Sequence, residues 1–323
     1  MKNLKKSFIV VLLLFWCGVA VYGWHLTRED AGSSSLKNVV VGYQAGDEFY
    51  VSKIRGQFVK KMKAKGYNVK FKEFQNGAAM MQALASGNVD YARVGDTPPV
   101  SALASGTKLT YVAAGGTKAK GSGILIHKNS SIKTLADLKG KKVAYTKGTS
   151  SQYMLLRALK VAGLSNDDIT WVNLDSDAAS VAYSKGKVDA WANWDPSVAQ
   201  VEITENSKLL VDGTTTKALN RSFIVSPTTY ASKNKTLSKL IIKYTEQDMK
   251  WANKNHSKLI KKMSADLKLS KKVVRRSITR RTFSMSSMSK SVVKEEQEIA
   301  NVFYDNNILT KKINVSKHVQ YLK

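Results

Sequence analysis

Three stretches of this chain carry residue types that could hold a ligand, and each stands where an apolar run gives way to a helical pattern. They are Tyr43-Gln44-Ala45-Gly46, Gly95-Asp96-Thr97-Pro98-Pro99 and Lys147-Gly148-Thr149-Ser150-Ser151-Gln152. A helix that begins at such a loop presents unpaired backbone amides and about half a positive charge from its aligned peptide dipoles. Two helix N-termini facing one crevice make an anion site, to which Thr149, Ser150 and Ser151 would add neutral hydroxyl donors. Such donors can replace the hydration of an oxyanion without any lysine. Asp96 and Asp195 would repel an anion, so they are expected to cap their helices or to hold a ligand amine. The plainer reading, in which Asp96, Thr149 and Ser150 only cap helices, is compatible with binding.

A fourth stretch, Trp191-Ala192-Asn193-Trp194-Asp195-Pro196, places two tryptophans at the end of a short strand. Their flat apolar faces suit the organic tail of a small ligand, with ordinary packing between elements as the competing use. The grammar around this stretch occurs twice. Gly87, Val89, Asp90 and Asp96 recur at one fixed offset as Gly186, Val188, Asp189 and Asp195. This repeat predicts two similar lobes that face each other.

No catalytic constellation accompanies these loops. His25, His127, His256 and His318 are isolated, with neither a carboxylate nor a thiol at a useful spacing and no metal-ligand pair. Gly115-Gly116 and Gly121-Ser122-Gly123 do not form a dinucleotide fingerprint. The chain therefore reads as a binder without metal or cofactor rather than an enzyme.

The elements that must position these loops follow from periodicity. Apolar runs at Val39–Tyr43, Val69–Glu73, Tyr91–Val94, Thr110–Ala114 and Gly123–His127 read as strands. Helical spacing separates the earlier ones, over Tyr50–Lys65, Ala78–Ala85 and Pro98–Ser105. A second unit runs through strands at Lys142–Tyr145, Thr170–Asn173, Ala190–Asn193 and Leu209–Asp212, with helices at Ser151–Ala162 and Ala178–Lys185. Phe223–Ser226 is expected to return to the first lobe. From Lys235 the pattern is helical to about Asn306, with breaks near Asn255, Ser270 and Ser284–Ser289. Strand–helix alternation predicts mainly parallel sheets flanked by helices, and such sheets bind ligands at the carboxyl ends of their strands.

The N-terminus stands apart. Lys2, Lys5 and Lys6 precede an apolar run from Phe8 to Trp16, the layout of an export signal. Three fates stay open: retention as a membrane anchor, lipidation at Cys17 (the chain's one cysteine), or cleavage. All three place the protein outside the cytoplasm, and the first two tether it to the outer face of the membrane. The formal net charge of +28 invites a polyanion partner. However, the lysines are dispersed, and the basic run Lys271-Lys272-Val273-Val274-Arg275-Arg276 has the apolar spacing of a helix face. An anionic membrane or cell-wall surface is the expected partner of that charge, and nucleic acid is not.

With these residues in view, the chain resembles the aliphatic sulfonate-binding proteins of ABC importers, relatives of the taurine and nitrate binders. The resemblance rests on Val41-Gly42-Tyr43-Gln44, Gly95-Asp96-Thr97-Pro98-Pro99, Thr134-Leu135-Ala136-Asp137-Leu138-Lys139-Gly140-Lys141-Lys142-Val143-Ala144, Lys147-Gly148-Thr149-Ser150-Ser151, Leu155-Leu156-Arg157-Ala158-Leu159, Val188-Asp189-Ala190-Trp191-Ala192 and Trp194-Asp195-Pro196. It implies an α/β two-lobed periplasmic-binding fold of type II with a helical C-terminal extension. Residues 1–32 would be signal or anchor and linker, 33–127 plus 223–323 the first lobe, and 128–222 the second. It also implies capture of an alkanesulfonate, or alternatively taurine, nitrate or a similar small ligand, and delivery to the membrane subunits of an ABC permease. The implied contacts are Gln44, Gly95, Asp96, Thr97, Thr149, Ser150, Ser151, Trp191 and Trp194. A cationic wall- or polyanion-binding protein is the alternative from a different class.

Overall fold

The structure is a computed structural model that describes residues 36–322. The export segment and Cys17 lie outside the described residues.

In the first unit, β1 (Lys37–Tyr43) leads into α1 (Glu48–Arg55) and α2 (Gln57–Lys63), then β2 (Tyr67–Glu73), α3 (Gly77–Ala85), β3 (Tyr91–Val94), α4 (Thr97–Ala104) and β4 (Leu109–Gly115). The chain then crosses to β5 (Ser122–His127), β6 (Lys142–Tyr145), α5 (Ser150–Ala162), β7 (Thr170–Asn173), α6 (Ser176–Ser184), β8 (Ala190–Trp194), α7 (Ser197–Thr204) and β9 (Ser207–Asp212). After α8 (Gly213–Thr216) it crosses back through β10 (Phe223–Pro227) into α9 (Thr228–Lys233), α10 (Lys235–Lys254), α11 (His256–Leu267) and α12 (Lys271–Thr279). A short β11 (Met285–Ser287) and α13 (Lys290–Asp305) complete the set.

Two sheets result, ordered β11-β4-β10-β3-β1-β2 and β7-β6-β8-β5-β9. Each contains a parallel trio (β2-β1-β3 and β7-β6-β8) followed by a reversed strand, β10 in the first sheet and β5 in the second. The reversed strand in turn pairs antiparallel with β4 or β9. Leaving aside the edge strand β11, the two orders are the same.

The sequence repeat has a structural meaning in this frame. Asp90 closes a pair of bonds with Val40 on β1, its amide donating to Val40 O at 2.9 Å and its Oδ2 accepting from Val40 N at 2.8 Å. Asp189 does the same with Lys142 on β6, at 2.8 and 2.7 Å. Each aspartate thus fixes the entry of β3 or β8 beside its parallel neighbour. Val89 and Val188, one residue earlier, are buried at 1% and 4% exposure.

One expected boundary moves. Residues 122–127 were assigned to the first lobe, but β5 pairs with β8 and β9 in the second sheet. The change of sheet therefore falls before it, at residues 116–121. The partners of β5 come later in the chain, so no local pattern announces which sheet it joins. The break expected at Ser284–Ser289 also contains structure, because β11 pairs with Gly115, Ala114 and Ala113 on β4.

Local chemistry sets the helix starts that face the sheets' carboxyl ends. Asp47 Oδ1 accepts from Tyr50 N at the head of α1, and the Thr149 hydroxyl accepts from Ser151 N at the head of α5. α5 stops at Gly163, whose φ of 68° is the left-handed conformation that a non-glycine residue adopts only at a cost. Cores form on the faces of both sheets. One apolar cluster runs continuously from Met80, Val94 and Tyr111 of the first unit to Ile124, Tyr153 and Leu155 of the second, and includes Phe303 of α13.

Candidate functional site

The loops after β3 and β6 meet. Ser150 Oγ, at the head of α5, donates to Asp96 Oδ1 before α4 at 2.5 Å. This one contact joins the carboxyl ends of the two sheets. A Cβ built on Gly95 would lie 3.6 Å from the same Ser150 hydroxyl, so the backbone itself comes close there. Asp96 is 1% exposed and makes no capping bond to α4. Its expected capping role is thus corrected: the carboxylate reaches across to the other sheet. Burial raises its pKa, opposed by the Ser150 hydroxyl and then by the charge of Lys118.

The other predicted polar contacts divide between this junction and local structure. Thr97 opens α4 fully buried, and its hydroxyl has no hydrogen-bond partner among the described residues. A buried donor without an acceptor is costly. Thr149 Oγ1 donates to Thr146 O at 2.7 Å while capping α5. Ser151 Oγ donates to Ala192 O on β8 at 2.7 Å and accepts from Thr146 N, so it ties α5 to its own sheet. Gln44 donates its amide to Asp47 Oδ2 at 2.7 Å and its side chain to Gln75 O at 3.3 Å.

The two tryptophans separate. Trp191 is 1% exposed and is packed with Leu125, Ala179, Tyr183, Val198 and Val201, on the face of β8 covered by α6 and α7. It is a core residue, and its expected ligand contact is withdrawn. The neighbouring Ala192 belongs to the other core, as alternation along a strand requires. Trp194 sits half-buried at the carboxyl end of β8. Beside it, Asp195 Oδ1 accepts from Ala199 N at 2.9 Å, its expected use at a helix start. Burial lifts the Asp195 pKa to about 6 against the pull of Arg280, whose Nη1 lies 3.5 Å away.

Sequence reasoning passed over a charged group beside the first loop. Arg93 on β3 is 3% exposed, and its Nε bonds to Glu48 Oε2. Glu48 Oε1 takes a second guanidinium, Arg281 Nη2, at 2.6 Å. Burial alone would raise the Glu48 pKa, but Arg93, Arg281 and Lys118 outweigh it and hold the carboxyl at about 2. Burial and both arginines push Lys118 the other way, down to about 7. A signal was present in Tyr91-Ala92-Arg93-Val94, because a charge inside an otherwise apolar strand is rarely buried without a purpose.

Helices from beyond β10 also reach the second unit. Arg276 and Arg280, on and just after α12, both pair with Glu202 on α7, with Arg276 Nη2 at 2.9 Å. On the other side, Arg157 of α5 pairs with Glu298 of α13 at 3.0 Å. Both sheets are therefore bridged by the C-terminal helices.

Comparison with known proteins follows this geometry. Residues 48–258 match the model of the NMT1/THI5-like family. The chain belongs to that family. A putative aliphatic sulfonates-binding protein of Escherichia coli is 32% identical over 295 residues, covering 91% of this chain and 92% of that protein. Its Bacillus subtilis counterpart is 30% identical over 318 residues, covering 97% and 93%. Among solved structures, the alkanesulfonate-binding protein SsuA of Xanthomonas axonopodis pv. citri, bound to MOPS, superposes with a TM-score of 0.82 at 30% identity. That match covers 89% of this chain and 99% of the other. As a member of the NMT1/THI5-like family, the chain has the α/β periplasmic-binding fold of type II, with one sheet per lobe and the Ser150–Asp96 junction between them.

Proposed function

We propose that this protein is the extracytoplasmic substrate-binding component of an ABC importer and captures an alkanesulfonate between its two lobes. One observation carries the reading. The heads of α4 and α5, one from each sheet, come together at Asp96 and Ser150, and the residue after Asp96, Thr97, buries a hydroxyl that has no partner among the described residues. Backbone amides and neutral hydroxyls suit a sulfonate, which stays ionised at every physiological pH, while Trp194 at the rim takes the alkyl part. Gln44, Gly95, Thr97, Thr149 and Ser150 are the proposed contacts, with Ser151 holding α5 in place. The protein does no chemistry on its ligand and delivers it to membrane permease subunits, with the N-terminal segment keeping it at the outer membrane face. The similar named proteins are sulfonate binders, which supports this ligand class.

The buried Asp96 carboxylate favours a second reading, a ligand with an amine such as taurine. Calorimetric titration of the full chain, in mild detergent at low and high salt, separates the readings. Ethanesulfonate, taurine, sulfate and nitrate are the ligands. One saturable, salt-tolerant site for ethanesulfonate, weakened about tenfold or more in Ser150→Ala, is the expected result. A preference for taurine would move the ligand to the amine class. Binding to none of them, with salt-sensitive binding to polyanions, would overturn the receptor reading.

A further inference from the structure

Two guanidiniums beside the first loop carry buried N–H groups without acceptors among the described residues. Arg93 and Arg281 share one carboxylate, Glu48, which spends Oε2 on Arg93 Nε and Oε1 on Arg281 Nη2. Arg93 Nη2 and Arg281 Nε are buried and have no hydrogen-bond partner among the described residues. Arg281 is held in place, its guanidinium stacked 4.2 Å from the centre of the Phe283 ring. The nearest other acid is Asp47, with Oδ2 3.9 Å from Arg93 Nε. Both Asp47 oxygens already accept backbone amides, from Gln44 and from Tyr50. Lys118, in the crossover at residues 116–121, faces the field of both arginines and of Glu48 and Asp96, and forms no ion pair among the described residues. Asp96 is engaged by Ser150.

A guanidinium N–H buried without an acceptor is among the most expensive groups to leave unpaired, so the free N–H groups of Arg93 and Arg281 call for a further acceptor. A planar carboxylate matches the guanidinium edge and the point charge of a lysine. We infer that Arg93, Arg281 and Lys118 form a second anion-accepting subsite, so that the physiological ligand is a sulfo-carboxylate carrying a carboxylate in addition to its sulfonate. This rests on the receptor reading above: the sulfonate takes the Ser150–Asp96 junction and the carboxylate takes the cations.

The test is calorimetric titration of the full chain with ethanesulfonate, sulfoacetate, 3-sulfopropanoate and succinate. The proteins are the wild type, Lys118→Gln and Arg93→Lys. Lys118→Gln is the main variant, because it removes one cation and leaves the Arg93–Glu48–Arg281 ion pairs in place. The wild type is expected to bind a sulfo-carboxylate at least tenfold more tightly than ethanesulfonate. Lys118→Gln should erase most of that preference while changing ethanesulfonate affinity less than about threefold. Arg93→Lys should weaken only ligands that carry a carboxylate. Equal affinity of the wild type for ethanesulfonate and both sulfo-carboxylates would overturn the inference and leave the receptor reading standing. Tight succinate binding with none to ethanesulfonate would keep the subsite and overturn the sulfonate reading. Absence of binding to all four would overturn both.

Discussion

Asp96 is the residue on which the choice of ligand turns. Its carboxylate is buried, reaches across the junction to Ser150, and takes up a proton more readily than an ordinary aspartate because of that burial. Ionised, it opposes a sulfonate and welcomes an ammonium group. Asp96→Asn keeps an acceptor for the Ser150 hydroxyl and removes the charge. The variant should bind ethanesulfonate about threefold or more tightly than the parent and taurine more weakly, in paired titrations. Equal weakening of both would reduce Asp96 to an anchor for Ser150. At this scale the hydroxyl loops were readable, because Thr149, Ser150 and Ser151 stand where a strand must hand over to a helix. Trp191 was not. β8 lies inside its sheet with both faces covered, so Ala190, Trp191 and Ala192 are apolar in succession and the pattern does not say which side chain faces the ligand. Arg93, Glu48, Lys118 and Arg281 were invisible as a group because they lie far apart in the sequence and only the fold assembles them.

At the scale of elements, the grip of α12 on α7 is the contact most directly tied to closure. Glu202 receives Arg276 of α12 and Arg280 just beyond it, from a segment packed on the first unit, so the contact forms only when the two lobes are together. Removing its charge with Glu202→Gln should shift the population toward a more open form. The expected readouts are a larger radius of gyration by small-angle scattering without ligand and a several-fold loss of ligand affinity. No change in either would make the contact an ordinary surface pair. Most strands and helices were legible from periodicity and from their glycine stops, and the repeat of Asp90 in Asp189 reported a real equivalence of β3 and β8. The crossing strand β5 was not, because strand direction and sheet membership are set by partners more than sixty residues away in the chain.

For the whole molecule, the buried acids set a pH profile of stability. Asp47 and Asp195 titrate near 6 in the folded protein, chiefly because of burial, against 3.8 for an unperturbed aspartate. As pH falls through 6 the folded state therefore takes up protons that the unfolded chain does not, and stability rises. Glu48 acts in the opposite sense. The unfolded chain protonates it near 4.5 while the folded carboxyl stays ionised to about 2, so stability is lost as pH falls through that window. The growing repulsion of a chain already at +28 steepens the loss. Thermal unfolding followed from pH 7 to pH 3 should show a maximum near pH 4.5, and Glu48→Gln should flatten the acid limb. A stability that falls monotonically from pH 7 would contradict this account. The position of β10 has a consequence for how the chain is made. β10 lies between β3 and β4, so those strands lack their shared partner until residue 227 has been synthesised. The second sheet, drawn wholly from residues 122–212, needs nothing later. The half of the protein that leaves the ribosome first is thus the last to close, with the edges of two buried strands open meanwhile, and its safe export depends on shielding them from other chains.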